Sequence, residues 1–344
     1  MKQRNYEIDF WKFVFSIVIV FLHSFNLFDG KNLYMVGGSI GVDFFFIVSG
    51  FLMMKSLKNK TNIQSGGAFL WHKFKIIMPY FYISIIIAFF LRSFFSIDPA
   101  PTMHKLLLLL NEILLLQAAG FSVYAVTGSA WYLSAMFIAI GILFPLAVIL
   151  RGYYENVLSL IIAVIILGSL SSSIGSTSNP GYMVGGIVFL GLLKAISEIA
   201  LGCFAHGCVQ HLKCYTFNNI TSLILSLIKY SCFIFVIYFA TLNDSNSYLM
   251  FSCVPILFIG IVLSFLDNVH KVSLPSFLQK SLSYLGELSI AIYLNNFYVS
   301  LIIAKLYNNH PVMQKMLYYL ISVFIISNIV VAMKRTVESK LLRG

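Results

Sequence analysis

The first apolar stretch of the chain carries ionisable side chains that could do chemistry. Lys12 and His23 are eleven residues apart, so at 3.6 residues per turn they share one helix face, about 16 Å apart along the axis. Asp9, Ser16 and Asn26 extend the same stripe. A polar stripe on an apolar helix is expected to face a bundle interior or a water-filled cavity. The alternative is that Lys12 reaches the lipid headgroups and His23 is a hydrogen-bonded core histidine.

A carboxylate in the next apolar stretch is the candidate partner of this histidine. Asp43 lies in the same half of its segment, relative to the membrane, as His23 does. A carboxylate that fixes the tautomer of an imidazole makes the ring a better general base. We therefore predict that Asp43 orients His23, with a polar helix-packing contact as the alternative. The neighbouring glycines, at positions 37, 38, 41 and 50, would let helices approach closely.

The composition indicates what must hold these residues in place. Of 344 residues, 59% are hydrophobic and 10% are charged, and the mean hydropathy is +0.90. Soluble domains contain about 25% charged residues, so a soluble protein is excluded. The net charge of +11 would suggest nucleic acid as a partner of a soluble protein, but in a membrane protein it reflects loop charges, and we expect no nucleic-acid partner.

Apolar runs long enough to cross a bilayer recur along the chain. Because a span takes about 20 residues, we predict an all-α, polytopic transmembrane helix bundle of about ten spans, forming one membrane-embedded domain over residues 1–344. The stretch 106–119 is shorter and contains Asn111 and Glu112, so we predict an interfacial or re-entrant helix there. The predicted spans lie near 10–28, 36–54, 76–95, 131–150, 157–175, 183–203, 222–242, 248–266, 285–305 and 316–333.

The basic residues predict the orientation. Most of the 23 Lys and Arg residues fall in segments that share one side if both termini are cytoplasmic, as the positive-inside rule requires. The basic residues predicted on the other side are Lys31, Arg92, Lys105, Lys305 and Lys315. Lys194 and Glu198, four residues apart inside one span, are predicted to neutralise each other.

Cysteine and histidine usage argues against two kinds of site. The five cysteines lie in or beside apolar segments, so we expect reduced thiols rather than disulfides. Cys203, His206, Cys208, His211 and Cys214 form a dense cluster. Its spacing matches no zinc pattern, and we expect no metal.

Five motifs together carry a resemblance to a known family. They are Lys12 and His23 with ten residues between them, FFFIVSGF (44–51), HKFKIIMPY (72–80), WYLSAM (131–136) and AIYLNN (291–296). Their types and order resemble membrane acyltransferase-3 proteins, specifically those that stand alone without an extra extracytoplasmic domain. Lys12 occupies the position of the family's arginine, and His23 matches its essential histidine.

The resemblance implies a function and a set of site residues. Such proteins are ten-span bacterial inner-membrane enzymes that move an acyl group, usually acetyl, from cytoplasmic acyl-CoA to a hydroxyl of a surface polysaccharide or lipid-linked glycan. His23, Asp43 and Lys12 would be catalytic. Acetyl-CoA would bind at Lys73, Lys75, Ser49 and Gly50, and the acceptor at Trp131, Tyr293 and Asn296.

Two other functions stay open at this stage. A transporter or flippase for a lipid-linked sugar would also need polar residues inside its spans, but it would favour interrupted helices in two matching halves. Pro79, Pro145 and Pro255 show no such symmetry. A family member that has lost catalysis and serves as a scaffold is the other alternative.

Overall fold

The chain forms a helix bundle. The computed structural model describes residues 4–28, 35–57, 64–97, 102–121, 125–175, 181–244, 247–266 and 274–341; Lys31 lies outside these ranges. Within them, eleven α-helices are numbered in chain order: α1 Tyr6–His23, α2 Ile40–Leu57, α3 Gln64–Phe94, α4 Thr102–Ile113, α5 Trp131–Tyr153, α6 Ser159–Ser173, α7 Leu190–Leu212, α8 Asn219–Leu242, α9 Cys253–Phe265, α10 Ser276–Leu306 and α11 Val312–Leu341. The prediction of an all-α bundle is confirmed.

Short segments of other conformations connect these helices. Turns of 3₁₀ helix follow α1 at Ser24–Phe28, follow α4 at Gln117–Ala119 and precede α9 at Tyr248–Ser252, and a π-helical turn occupies Tyr154–Leu158. Two short antiparallel strands, β1 Met183–Val184 and β2 Val188–Phe189, precede α7. All five cysteines are free, which confirms the prediction of no disulfides.

The described residues contain nine helical stretches long and apolar enough to cross a membrane, against about ten predicted spans. The difference arises at Trp131–Ser173, a stretch of 43 residues that would measure about 65 Å as a straight helix, twice a bilayer's hydrocarbon core. Arg151, with φ 46° and ψ −119°, breaks it. Both α5 and α6 pack against α7, which is only about 35 Å long, so the stretch contains two separate segments.

Two other segments differ from a simple series of spans. The span predicted at 183–203 is displaced, because its first seven residues form the β1–β2 hairpin and the helix runs from Leu190 to Leu212. The predicted short helix within 106–119 is present as α4. At 12 residues it measures about 18 Å and is too short to cross the bilayer.

Helix α1 connects two groups of helices in the bundle. It packs along α10 and against α2, while α2 packs against α7, and α10 also contacts α3 and α11. Helices α1 and α10 run parallel, because Asp9 lies beside Gly286 and Asn26 Nδ2 donates to Ser300 Oγ at 2.7 Å. We call the two ends of the bundle the Lys12 end and the His23 end.

Glycines bring α2 and α7 into backbone contact. A Cβ added at Gly50 would lie 2.0 Å from the carbonyl oxygen of Ile199, and one added at Gly202 would lie 2.0 Å from that of Ile47. Such distances exclude any side chain at either position. The crossing therefore depends on glycine at both positions.

Gly50→Ala is expected to disrupt this crossing and reduce the yield of folded protein. The methyl group would have to displace the backbone of α7, at a cost of about 1–3 kcal/mol or more. The matched control is Gly141→Ala in α5, where an added Cβ meets nothing within 4 Å and helix propensity favours alanine. Thermal unfolding in detergent measures the difference; equal melting temperatures for the two variants would contradict the expected effect.

Candidate functional site

His23 ends α1, and its ring is held by Asn296 of α10. The His23 Nδ1 atom and the Asn296 Oδ1 atom form a short hydrogen bond. The Asn296 Nδ2 group donates to the carbonyl oxygens of Ile292 at 3.0 Å and Tyr293 at 2.7 Å. These two donations fix the orientation of the amide, so that its oxygen faces the imidazole.

This contact settles the tautomer of His23. An amide oxygen only accepts hydrogen bonds, so Nδ1 carries the proton and Nε2 keeps its lone pair. The ring is partly exposed, and Phe297 covers one side with its centroid 5.2 Å away. A half-buried imidazole with a fixed neutral tautomer is suited to accept a proton at Nε2.

Asp43 is not the partner of His23, which corrects the pairing predicted from the sequence. Its Oδ1 atom lies 2.5 Å from Lys194 Nζ of α7. The cause is that Asp43 faces α7, whereas His23 faces α10 on the other side of α1. Asn296, predicted as an acceptor-binding residue, occupies the orienting position instead.

The same ion pair changes the role of Glu198. Lys194 contacts Asp43 rather than the predicted Glu198, although the charges of all three groups interact. All three are at least 95% buried. Both carboxylate oxygens of Glu198 lack a hydrogen-bond partner within the described part of the chain. The Asp43–Lys194 ion pair joins α2 to α7 about two helical turns from their glycine crossing.

A cluster of cations lies at the Lys12 end. Asp9 is its centre: Oδ1 lies 3.3 Å from Lys12 Nζ and Oδ2 lies 2.5 Å from Arg4 Nε. Arg4 also donates to the carbonyl oxygen of Ser283 at 2.9 Å. Gly286 makes room for the cluster, because a Cβ there would lie 2.7 Å from Asp9 Cγ. Arg4 was missed in the sequence analysis as a site residue, since a charge before a span is usual.

Lys73 and Lys75 of α3 point in different directions. Lys73 is half-buried and lies within electrostatic range of Lys12. Lys75 is exposed, with Nζ 5.3 Å from the ring centroid of the exposed Trp71. Residues two apart lie on opposite faces of a helix, so only Lys73 joins the Lys12 cluster.

Aromatic side chains pack between the two ends. The Tyr132 and Tyr293 rings lie 5.2 Å apart, and Phe45 touches both, at 6.2 and 6.1 Å. The Ser49 hydroxyl lies 3.6 Å from Met136 Sδ and also bonds the Tyr132 side chain. Ser49 and Tyr293 therefore belong to one layer.

Two predicted residues lie apart from this layer's centre. Trp131 is half-buried at the start of α5 and packs on Phe46, with centroids 6.3 Å apart. Gly50 faces the α7 backbone, so its lack of a side chain serves helix packing. The backbone of Ile199 fills the space beside Gly50 in which acetyl-CoA was expected to bind.

A buried loop, residues 125–130, closes the site beside His23. Glu112 of α4 accepts from Val126 N at 2.5 Å and from Thr127 N and Oγ1 at 3.1 and 2.5 Å. Burial raises the pKa of Glu112, while these hydrogen bonds and the Arg92 charge act in the opposite direction. Arg92 Nη1 donates to the carbonyl oxygens of Ala125 and Val126, at 3.1 and 2.6 Å.

The 125–130 loop, held by Glu112 and Arg92, contacts α10 close to Asn296. Ser129 Oγ donates to the carbonyl oxygen of Leu294, and Tyr293 Oη donates to that of Ser129, both at 3.3 Å. Gly128, at φ +74°, has no room for a Cβ against Phe297. Glu112 was noted in the sequence only as an interruption of a short apolar helix. Glu112 and Arg92 carry opposite charges and are predicted on the same side of the membrane. That pairing was the signal in the sequence that could have identified Glu112 as a site residue.

Asn296→Leu is expected to lower the rate of any reaction in which His23 acts as a base by about 10–100-fold. Leucine has nearly the same size but cannot accept the Nδ1 proton, so the tautomer and ring orientation are no longer fixed. Asn296→Asp keeps an acceptor oxygen for Nδ1–H but loses both Nδ2 donations, so its rate should fall between those of wild type and Asn296→Leu. Steady-state rates at equal protein levels compare them; similar rates for Leu and Asp would show that the contact is not used.

One of three comparisons with known proteins finds a match. A family profile described as an acyltransferase domain, acyltransferase family 3, matches residues 5–333. No curated protein and no solved structure gives a significant match. The family match includes α1 with His23 and Lys12, the layer of aromatic rings and the Asn296 position on α10. Because it covers nearly the whole chain, the protein belongs to the membrane acyltransferase-3 family.

Proposed function

We propose that this protein is a transmembrane O-acyltransferase of the bacterial inner membrane. It moves an acyl group, normally acetyl from acetyl-CoA, to a hydroxyl of a surface polysaccharide or lipid-linked glycan. The observation that carries the proposal is α1 itself. This one helix presents an imidazole of fixed tautomer at one end and a cation cluster with Lys12 about 16 Å away along the axis.

The Lys12 end suits the donor. The phosphates of acyl-CoA need cations, and Lys12, Lys73 and Arg4 supply them. Phosphate oxygens would compete with Asp9 for these groups and form charge-assisted hydrogen bonds. On the positive-inside argument this end is cytoplasmic, where acyl-CoA is present. The acyl-bearing arm would extend past the Tyr132 and Tyr293 layer towards His23.

The His23 end suits the acceptor. Nε2 takes the proton of a glycan hydroxyl as its oxygen attacks the thioester carbonyl carbon. The C–O ester bond forms, the C–S bond breaks, and the departing sulfur receives the proton from the imidazolium. Transfer through an acyl-histidine intermediate would use the same nitrogen as a nucleophile. In either route Asn296 stabilises the Nδ1–H tautomer.

Deletion of the gene and mass spectrometry of purified surface glycans test the proposal. We expect the glycan to remain at its normal amount but to lose ester-linked acetyl, and complementation to restore the ester. A transporter or flippase would give a different result, because the glycan itself would be depleted at the surface. Unchanged acetylation of every surface glycan would refute the acyltransferase proposal.

A further inference from the structure

Basic residues at the His23 end are not ordinary loop charges. Of those predicted on this side, Arg92, Lys105 and Lys315 are described and only 7–8% exposed. Arg92 holds the 125–130 loop, and Lys305 is exposed and donates to the carbonyl oxygen of Ser96 at 2.6 Å. Lys315, in contrast, makes no hydrogen bond of comparable length to a described residue.

Lys315 is buried at the N-terminal end of a helix. It lies in the first turn of α11, which begins at Val312, and the N-terminal end of a helix carries a partial positive charge. Among the described residues, its Nζ atom donates only to the carbonyl oxygen of Leu27, at 3.5 Å. No described carboxylate lies within ion-pair distance of it. A buried ammonium with three donors and one distant acceptor is costly unless an anion joins it.

Lys315 lies close to the catalytic imidazole. Leu27 follows His23 by four residues in the 3₁₀ segment Ser24–Phe28, a rise of roughly 8 Å. Tyr319, four residues after Lys315, donates to the carbonyl oxygen of Val20 at 3.1 Å. This bond fixes the start of α11 against the end of α1, so the ammonium lies beside the 3₁₀ segment that follows His23.

We propose that Lys315 binds an anionic group of the acceptor, so that the glycan substrate carries a carboxylate or a phosphate near the hydroxyl that is acylated. The inference rests on the proposed function and deepens it. An anion at this position would satisfy the ammonium, compensate the positive helix end and set the distance between the reacting hydroxyl and His23. Acidic or phosphate-bearing glycans would then be preferred over neutral ones.

Binding of model glycolipids to the full chain in detergent tests this site without needing turnover. The probes share one lipid tail and carry a glucuronyl, a phosphoglucosyl or a glucosyl headgroup. We expect the two anionic probes to bind wild type at least 10-fold more tightly than the neutral probe, and Lys315→Gln to lose this preference. Lys315→Arg should keep it, as should Lys305→Gln, an exposed lysine at the same end. The stronger anionic probe identifies carboxylate or phosphate as the group.

Lys315→Gln removes a buried charge without leaving an opposite charge unpaired, so we expect it to fold; Lys315→Met is the second variant. Equal binding of neutral and anionic probes by wild type, or an unchanged preference in Lys315→Gln or Lys315→Met, would overturn the proposal.

Transfer of labelled acetyl from acetyl-CoA to the probes is measured separately. Lys315-dependent binding without transfer by wild type would count against the proposed function and leave the anion site standing.

Discussion

His23→Gln is expected to lower acyl transfer by about 10²–10⁴-fold, the usual contribution of a general base. The glutamine amide can still donate to Asn296 Oδ1, so the α1–α10 contact survives. It has no nitrogen lone pair that accepts a proton, however, and it cannot carry an acyl group. The predicted loss is therefore chemical rather than structural.

His310→Gln is the matched control for this substitution. His310 is an exposed histidine just before α11, where its ring touches Tyr307 and Tyr318, and it should remain near wild-type activity. Ester-linked acetyl on purified glycans, measured at equal membrane levels of protein, gives the comparison. If His23→Gln kept more than half of the wild-type acetylation, a role for the imidazole in proton transfer would be excluded.

The helices of the fold were predictable from the sequence, but their bounds were less so. Apolar runs of span length reveal membrane helices because lipid imposes the same constraint on each. The break at Arg151 was predicted, because the polar residues 151–156 separate the spans expected at 131–150 and 157–175. The β1–β2 hairpin was not predicted, because a single span was expected over 183–203. Hydropathy alone cannot distinguish a short apolar hairpin from the first turns of a membrane span.

Only those features of the candidate site that lie within a single helix were predictable from the sequence. Lys12 and His23 share a face because helical periodicity fixes it within one helix. The partner of His23 depends on which helix packs beside α1, and sequence spacing holds no information on that. Asp43 was therefore placed against the wrong neighbour, and Asn296 was assigned to the acceptor. The different directions of Lys73 and Lys75, in contrast, follow from helix geometry and could have been predicted.

Glu112→Ala is expected to destabilise the protein by about 3–5 kcal/mol, the usual cost of removing one partner from a buried charged network. The Val126 and Thr127 donors would lose their acceptor, and the charge of Arg92 would lose the interaction with the carboxylate. The 125–130 loop should then leave α10, which exposes His23 and lowers activity as well. Glu112→Gln keeps an acceptor oxygen and should have a smaller effect.

Asn111→Ala is the control, because it alters the neighbouring, partly exposed residue of α4 without touching the loop. Thermal unfolding and limited proteolysis at 125–130, in detergent, measure both consequences together. If Glu112→Ala unfolded at the wild-type temperature and kept the loop protected, Arg92 alone would suffice to hold it. We expect the opposite result, because a buried polar network whose members are hydrogen-bonded rigidifies the segment that it holds, here the 125–130 loop against α10.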